Sequence, residues 1–275
     1  MGCINKYIYG KIKKMTIENR PSSELTPAKK FEKTVTPIEA KDGRPFTVEL
    51  YQVDSTIADV AEDATIAEIL PKLTEIAVDS FPNWTDNGKY FAEKAVPTAN
   101  AFSITTNEAG EIIGFNLYQK GVVKGNSFAY TKYAGVSNQT DSEGTPLYRR
   151  QGLMEKSRLA DIDVIDPNIL MGCSAVGEIH LGVDQVAKQS GRVVFPREEA
   201  VPEKIGLLGQ EAYAIVNGAD VKDSVDPKTL VRHGKSAYIR GQVIPPFMEK
   251  LQLTPNDAVI YMAVKPSVIS VQTPS

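Results

Sequence analysis

The sequence predicts an α/β protein of the α+β type, in which a mixed, mostly antiparallel central sheet is flanked by helices. Three observations predict this class. Strand-like segments follow one another without an intervening helix between residues 101 and 136, helices separate the later strands, and 42% of the 275 residues are hydrophobic. Strands that follow one another directly pair antiparallel, whereas a strand reached through a helix can pair parallel, so we expect both kinds of pairing.

The first part of the predicted domain contains one strand and two helical segments. Residues 46–53 alternate apolar and polar side chains, which predicts a strand. Residues 64–81 repeat apolar side chains at intervals of three and four, which predicts a helix, and Pro71 inside it predicts a kink or a break. A second helical segment is expected near residues 88–95.

A strand meander is predicted next. Residues 101–106 and 111–119 are predicted strands, and the turn at 107–110 joins them in a hairpin. The aromatic-rich residues 127–136 predict a third strand. The polar, glycine-containing residues 137–145 predict a loop.

Helices and strands alternate after the meander. Residues 149–164 are helical in character, and the almost wholly apolar residues 169–174 predict a buried strand. A helix is expected at 176–189, and strands are expected at 192–195 and 259–264. This succession predicts a βαβ crossover after the meander, which is why the sheet should be mixed.

The composition excludes several classes of protein. The chain has two cysteines and two histidines, so a disulfide framework and a histidine-rich metal centre are excluded. No apolar run approaches the roughly 18 residues of a membrane span. Cys173 lies in a predicted buried strand, and we expect an inert thiol there rather than a nucleophile.

Charge is distributed unevenly along the chain. Residues 1–45 carry ten basic and five acidic residues, a net charge of +5, so the remainder carries −8 of the total of −3. We expect residues 1–45 to be a basic, flexible arm, and contact with nucleic acid or an anionic membrane is the alternative. The first residues lack the apolar core of a signal peptide, which favours a cytoplasmic protein.

The most informative stretch is residues 146–154, which follow a predicted strand and loop and begin a helix. Backbone N–H groups of a first helical turn point outward, and the helix dipole attracts anions. Gly152 lets an anion approach the backbone closely, and Arg149 and Arg150 add forked cationic donors. The stretch therefore predicts a site for a diphosphate.

Pro146, Tyr148, Arg149 and Gly152 resemble the acyl-CoA signature of the GNAT superfamily of N-acetyltransferases. Met154 stands where that signature has a small residue, and residues 137–145 are an insertion before it. The order of elements from residue 46 to residue 195 also agrees with the family. We therefore expect a GNAT-like acyl-CoA-binding domain at 46–275, with an unmatched extension after about residue 196.

The resemblance implies an N-acetyltransferase with acetyl-CoA as co-substrate. The strand before the signature would carry a bulge and hold the pantetheine and the thioester. The cofactor-binding residues would be Tyr133, Val136, Arg149, Arg150, Gln151, Gly152, Leu153 and Met154. An acceptor amine, of a small molecule or a peptide, would attack the thioester directly in a ternary complex, and no metal would be needed.

Roles in proton transfer are less defined. The family often places a tyrosine acid on the helix after the fifth strand, where this sequence has His180 and Glu178, and Tyr213 is a weaker substitute. The base is unassigned: Asp141, Glu143 and Glu178 are open candidates, and a solvated surface carboxylate is the preferred interpretation of each.

An acceptor site and two alternatives complete the expectations. The side chains expected to line the acceptor site are Phe81, Trp84 and Tyr90, although core packing explains them as well. The alternatives are a degenerate protein that binds acyl-CoA without turnover, and a scaffold whose basic arm contacts nucleic acid or membrane.

Overall fold

The computed structural model describes residues 31–61, 63–80, 87–174, 177–197, 199–234, 245–251 and 253–270. The strands in these ranges are β1 (Phe31–Glu39), β2 (Pro45–Val53), β3 (Ala101–Thr106), β4 (Ile112–Val123), β5 (Asn126–Val136), β6 (Ile169–Ser174), β7 (Val193–Phe195), β8 (Val225–Asp226), β9 (Val231–Arg232) and β10 (Ala258–Val264). The helices are α1 (Ala64–Ser80), α2 (Asn87–Tyr90), α3 (Leu153–Ile165), α4 (Gly177–Gln189), α5 (Glu203–Asn217), α6 (Pro246–Lys250) and α7 (Pro266–Ser270). Shorter helical turns are Ile57–Val60, Phe91–Ala95, Val96–Thr98 and Ala219–Ser224.

The chain divides into two compact units. Unit 1 holds the chain up to Gln119 together with Lys132–Ala160. Unit 2 holds Lys120–Thr131 and the chain from Asp161 onward. The strands β4 and β5 and the helix α3 therefore each contribute residues to both units.

Unit 1 is built on antiparallel strands. β1 pairs with β2, β2 with β3, and β3 with β4, all antiparallel. Apolar side chains of α1 pack on one face of these strands together with Tyr51, Phe102, Leu117 and Phe115, which are almost fully buried. Tyr51 stacks on Phe102 with ring centroids 4.7 Å apart, so aromatic packing holds this face together.

The helix α1 runs unbroken through Pro71. A break at this position, one of the two outcomes expected from the sequence, is wrong. Ile66, Leu70 and Leu73 bury their side chains against the sheet on both sides of the proline. The helical turns before and after Pro71 are buried in the same core, and the free energy of this burial offsets the loss of the hydrogen bond that proline cannot donate.

Unit 2 contains a parallel strand pair. Phe128–Tyr130 of β5 pair parallel with Ile169–Met171 of β6, while β10 pairs antiparallel with β6, β7 and β9. All seven residues of β10 are buried, as its apolar sequence predicts. The apolar face of α5 joins the core of this unit.

The predicted fold class is confirmed: the sheet is mixed, mostly antiparallel and flanked by helices. Three strands are absent from the sequence prediction: β1 and the two-residue strands β8 and β9. β1 occupies Phe31–Glu39, within the region expected to be a flexible arm, and Pro37 lies inside it. Its pairing is described with β2 alone, and strands at a sheet edge tolerate proline. In the described ranges no helix is both long and apolar enough to cross a membrane.

Candidate functional site

The residues 149–154, called the signature turn below, lie immediately before and at the start of α3. Arg150 and Gly152 both have left-handed backbone conformations, with φ of 66° and 71°. This conformation is common for glycine and uncommon for arginine. The chain therefore turns sharply just before the helix begins.

The amides of this turn are available to a ligand. The first helical hydrogen bond of α3 runs from the Lys156 N–H to the Gly152 carbonyl, at 3.0 Å. In the described part of the chain, the N–H groups of Gly152, Leu153 and Met154 have no protein acceptor, whereas the turn at Arg149 and Arg150 directs the Gln151 N–H toward the Tyr148 carbonyl. Free first-turn amides and the positive end of the helix dipole together favour an anion at this position.

Two arginines border the turn. Arg149 is half-buried and its Nη2 donates a hydrogen bond of 3.1 Å to the Ser80 carbonyl at the end of α1. Desolvation lowers the pKa of Arg149 and the nearby Asp79 opposes this shift, so the guanidinium stays charged. Arg150 is exposed to solvent. Arg149 is held in place by the protein, whereas Arg150 can move toward a ligand.

A third cation reaches the turn from the β1–β2 connection. The Lys41 N–H donates a hydrogen bond of 3.0 Å to the Gln151 carbonyl. The Lys41 side chain lies over Gly152, since a Cβ added to Gly152 would be 3.0 Å from Lys41 Cε. Lys41 is exposed, so its ammonium can approach a bound anion. Sequence reasoning missed this residue because it lies far from the signature along the chain.

The lead-in residues of the signature anchor the turn to the same hairpin. Tyr148 is buried against Phe46, with ring centroids 6.2 Å apart in an edge-to-face arrangement. Arg44 lies over the Tyr148 ring and its Nη2 donates to the Leu147 carbonyl. The predicted Pro146–Tyr148 motif therefore acts by fixing the backbone before the turn.

β4 and β5 are joined by a tight turn, and the chain just after β5 returns to the start of β4. A two-residue turn, Lys124 and Gly125, both with positive φ, joins β4 to β5 and places Val123 opposite Asn126. The numbers of residues that face each other across the two strands therefore add up to 249 at this end. At the other end the Ser137 N–H donates to the Ile113 carbonyl at 2.8 Å, a sum of 250. This difference of one lies at Ser137, after β5 has ended, and the bulge expected in this strand stays a prediction; the register shift that the structure shows lies between Thr105 and Thr106, in the pairing of β3 with β4.

The two cofactor-binding residues predicted on β5 have protein partners. The Tyr133 hydroxyl donates to the Ala77 carbonyl at 3.1 Å, and its ring stacks on Phe115. The Val136 carbonyl accepts a hydrogen bond of 3.2 Å from Ser80 Oγ. The side chain of Tyr133 is therefore part of the core, and contact of this strand with a ligand stays a prediction for its other backbone groups.

The base candidates of unit 1 lie in the loop before the signature. Asp141 Oδ1 accepts the N–H groups of Glu143 and Thr145 at 2.9 Å each, so this carboxylate shapes the loop. Asp141 and Glu143 are both exposed. Their surroundings are those of solvated loop carboxylates, and a role as base stays a prediction.

The acid candidates lie in unit 2. His180 on α4 is buried, its Nε2 is 3.1 Å from the Ser174 carbonyl, and its ring meets Phe247 and Tyr261 edge to face. Burial lowers the pKa of His180 to about 4, so the ring is neutral at neutral pH and carries no proton that it can easily donate. Glu178 also lies on α4. This environment favours a packing role for His180.

Tyr213 and Cys173 also belong to unit 2. Tyr213 on α5 is buried and packs against Tyr130 with ring centroids 6.1 Å apart. Burial raises the pKa of the Cys173 thiol to about 12, although Arg232 and the Tyr213 hydroxyl oppose the shift. The thiol is protonated at neutral pH, which supports the expected inert cysteine.

Of the predicted acceptor-site residues, Phe81 and Trp84 lie outside the described residues. Tyr90 is half-buried and packs on the core of unit 1. Among the described side chains no group of three or more histidine, cysteine, aspartate or glutamate residues could hold a metal ion.

No family model and no curated protein matches the chain. Solved structures similar to it include the catalytic domain of the Tetrahymena GCN5 histone acetyltransferase in complex with coenzyme A, at 11% identity over 54% of this chain and 76% of that one, with a TM-score of 0.35. The ribosomal-protein-S5-alanine acetyltransferase of Vibrio fischeri is 12% identical over 87% of this chain and all of that one, with a TM-score of 0.37. A putative acetyltransferase of Acinetobacter baylyi is 12% identical over 89% and 97% of the two chains, with a TM-score of 0.36.

Proposed function

We propose that this protein is a cytoplasmic N-acetyltransferase of the GNAT type, which transfers an acetyl group from acetyl-CoA to an amine. The diphosphate of the donor binds at the signature turn, to the amides of Gly152, Leu153 and Met154. The side chains of Arg149, Arg150 and Lys41 supply the counter-charge. The acceptor is the amine of a small molecule or of a peptide, and the reaction uses no metal.

One observation carries the proposal. The first-turn amides of α3 have no acceptor among the described residues, the Lys41 side chain lies over Gly152, and Arg149 and Arg150 precede these amides in sequence. Arg150 and Gly152 adopt left-handed conformations that expose these amides. A turn that served only to begin a helix would not need an arginine in this conformation, or a lysine from another hairpin lying over the glycine.

The chemistry is a direct transfer. The acceptor amine loses a proton and attacks the thioester carbonyl, the C–N bond forms, and the C–S bond breaks with its electron pair on sulfur. The thiolate then takes up a proton and leaves as free CoA. The proposed sites of proton transfer are the predicted candidates Glu178, Tyr213 and His180, of which His180 is the weakest acid donor because it is already neutral.

The test combines binding with turnover. Acetyl-CoA and free CoA should both raise the melting temperature of the protein, by mass action on the folded state. A panel of small amines and peptides should then give thiol release in the presence of acetyl-CoA. If both nucleotides leave the melting temperature unchanged at saturating concentration, the proposal is wrong.

A second candidate function is binding of acyl-CoA without turnover. It is favoured by the surroundings of His180 and Tyr213, which are both buried in packing contacts of unit 2. In this case acetyl-CoA raises the melting temperature as before, but no amine of the panel gives thiol release above the rate of uncatalysed hydrolysis.

A further inference from the structure

Lys132 on β5 is a buried lysine for which the described residues supply no hydrogen-bond or ion-pair partner. Only 9% of the surface of Lys132 is exposed to solvent. Among the described residues no hydrogen-bond acceptor or anion lies within reach of its ammonium, and desolvation is the only influence on its ionisation. Nζ itself is not fully shielded from solvent, but desolvation of an ammonium without a counter-charge is costly, so its position calls for a functional explanation.

The orientation of Lys132 follows from its neighbour. The Tyr133 side chain points toward α1, since its hydroxyl donates to the Ala77 carbonyl. Successive side chains of a strand point to opposite faces, so Lys132 points to the other face of the sheet. On that face Asn116 of β4 donates to Ser157 of α3 at 3.0 Å, which places α3 over it. The buried titratable residues on β4 and α3 are Tyr118, Arg158 and Asp161.

The position of Lys132 along β5 suits one end of an extended ligand. Val136, at the end of β5, packs in the same cluster as Leu153, the first residue of α3. Four residues of strand separate Val136 from Lys132, or about 13 Å. A flexible arm that leaves the signature turn and follows β5 therefore reaches Lys132 with its far end. In acetyl-CoA the far end of the arm carries the thioester.

The ionisation of Lys132 suits proton transfer to sulfur. Burial lowers its pKa from the ordinary value of lysine to about 8. The group is therefore mostly charged at pH 7 and gives up its proton easily. An ordinary thiol has a pKa of about 8.5, so donor and acceptor are closely matched, as efficient general acid catalysis requires.

We propose that the Lys132 ammonium is the general acid that protonates the leaving thiolate. This inference rests on the proposed acetyltransferase function, and in it Lys132 takes the place of Glu178, Tyr213 and His180 as the proton donor to sulfur. As the C–S bond breaks, its electron pair stays on sulfur and takes a proton from Nζ, which leaves a neutral amine on Lys132 and free CoA thiol. The proton that the acceptor amine loses returns through solvent and restores the ammonium.

The experiment compares Lys132→Met, Lys132→Arg and wild type in the full chain. Methionine keeps an unbranched side chain of similar length without a proton to donate, and Lys124→Met on the same hairpin is the control. We expect Lys132→Met to lose about a hundredfold or more in kcat with acetyl-CoA. Its KM and the rise in melting temperature with CoA should stay as in wild type, since the diphosphate site is untouched.

The pH profile supplies a second readout. Wild-type kcat should fall above about pH 8 as Lys132 loses its proton, and Lys132→Arg should move that fall to higher pH because arginine remains charged. With an acetyl thioester of a more acidic thiol, the loss in Lys132→Met should shrink, because a better leaving group needs less protonation.

The possible failures are distinct. A wild-type protein that releases no thiol overturns both the proposed function and this inference. A wild-type protein that is active, with Lys132→Met equal to it in kcat and pH profile, overturns this inference alone. If Lys132→Met does not fold, as judged by the absence of a cooperative melting transition, the pH profile of Lys132→Arg decides: an unchanged profile overturns the inference.

Discussion

The main-chain N–H of Lys41 donates a hydrogen bond of 3.0 Å to the carbonyl of Gln151, and through it the N-terminal hairpin holds the turn that begins α3. The bond fixes the backbone of Lys41, while its side chain extends over Gly152. The hairpin is therefore part of the candidate site in addition to being an edge of the sheet. A diphosphate bound at this turn would contact Lys41 of the β1–β2 hairpin as well as the arginines of the signature turn itself.

Lys41→Ala should weaken binding of CoA about twofold to fivefold, the usual range for one exposed ion contact. The main-chain bond to Gln151 does not depend on the side chain, so the melting temperature without ligand should change little. The measurement is isothermal titration with CoA at two salt concentrations, and the loss should be smaller at the higher one.

Lys33→Ala is the matched control for this prediction. Lys33 lies on the same hairpin but pairs with Glu49 at 2.9 Å on β2. Removal of its charge should leave the affinity for CoA unchanged. Equal losses in both variants would show a general effect of net charge and would contradict a specific role of Lys41.

Gly152→Ala should reduce both stability and binding. An alanine in the left-handed conformation costs about 1 to 2 kcal/mol, and its Cβ would displace the Lys41 side chain. The new methyl group also keeps an anion from the amides, so we expect roughly tenfold weaker binding of CoA.

Gly144 supplies the comparison, because it has a φ of 81° and open space around its Cβ position. Gly144→Ala should show a similar fall in melting temperature with unchanged affinity for CoA.

The pattern of apolar and polar residues predicts a strand best where the strand is buried, because burial then determines which residues are apolar. The apolar run of β10 is buried on both faces, and its strand was predicted within one residue. β1 was missed because one of its faces is exposed, so that its threonines, glutamates and lysine carry no core pattern. Edge strands owe their position to backbone pairing, which side-chain patterns describe poorly.

The candidate site shows a similar division. The signature turn was predicted because its glycine, arginines and helix start are local in sequence. Lys41 and Lys132 were not predicted, because their significance arises from contacts and burial that only the folded chain defines. His180 was chosen for its place on a helix, but the Phe247 and Tyr261 rings that determine its environment come from distant segments.

Cys173 should be unreactive in the folded protein. Burial raises the pKa of its thiol to about 12, so almost no thiolate exists at pH 8. In a Cys3→Ser variant, Ellman's reagent should therefore detect no protein thiol under native conditions and one thiol after denaturation. Rapid labelling of the native variant would contradict the prediction. The same variant would remove a protein background from the thiol-release assay.

His180 should make the protein less stable as the pH falls from about 6.5 toward 4. Its pKa in the folded protein is about 4, below the ordinary value of about 6.5 that applies when the chain is unfolded. The unfolded state therefore binds the proton more tightly in this range. The stabilisation is complete above pH 6.5, decreases as the pH falls, and is lost below about pH 4, with a total of up to about 3 kcal/mol.

Denaturant unfolding of wild type and His180→Phe at several pH values between 4 and 7.5 tests this prediction. Phenylalanine suits the edge-to-face packing against Phe247 and Tyr261 and has no proton to bind. As the pH falls, the free energy of unfolding of wild type should decrease more than that of His180→Phe. The titration of acidic groups affects both proteins equally and so cancels in the difference. A parallel pH dependence in wild type and His180→Phe would show that the buried ring does not titrate as its environment requires.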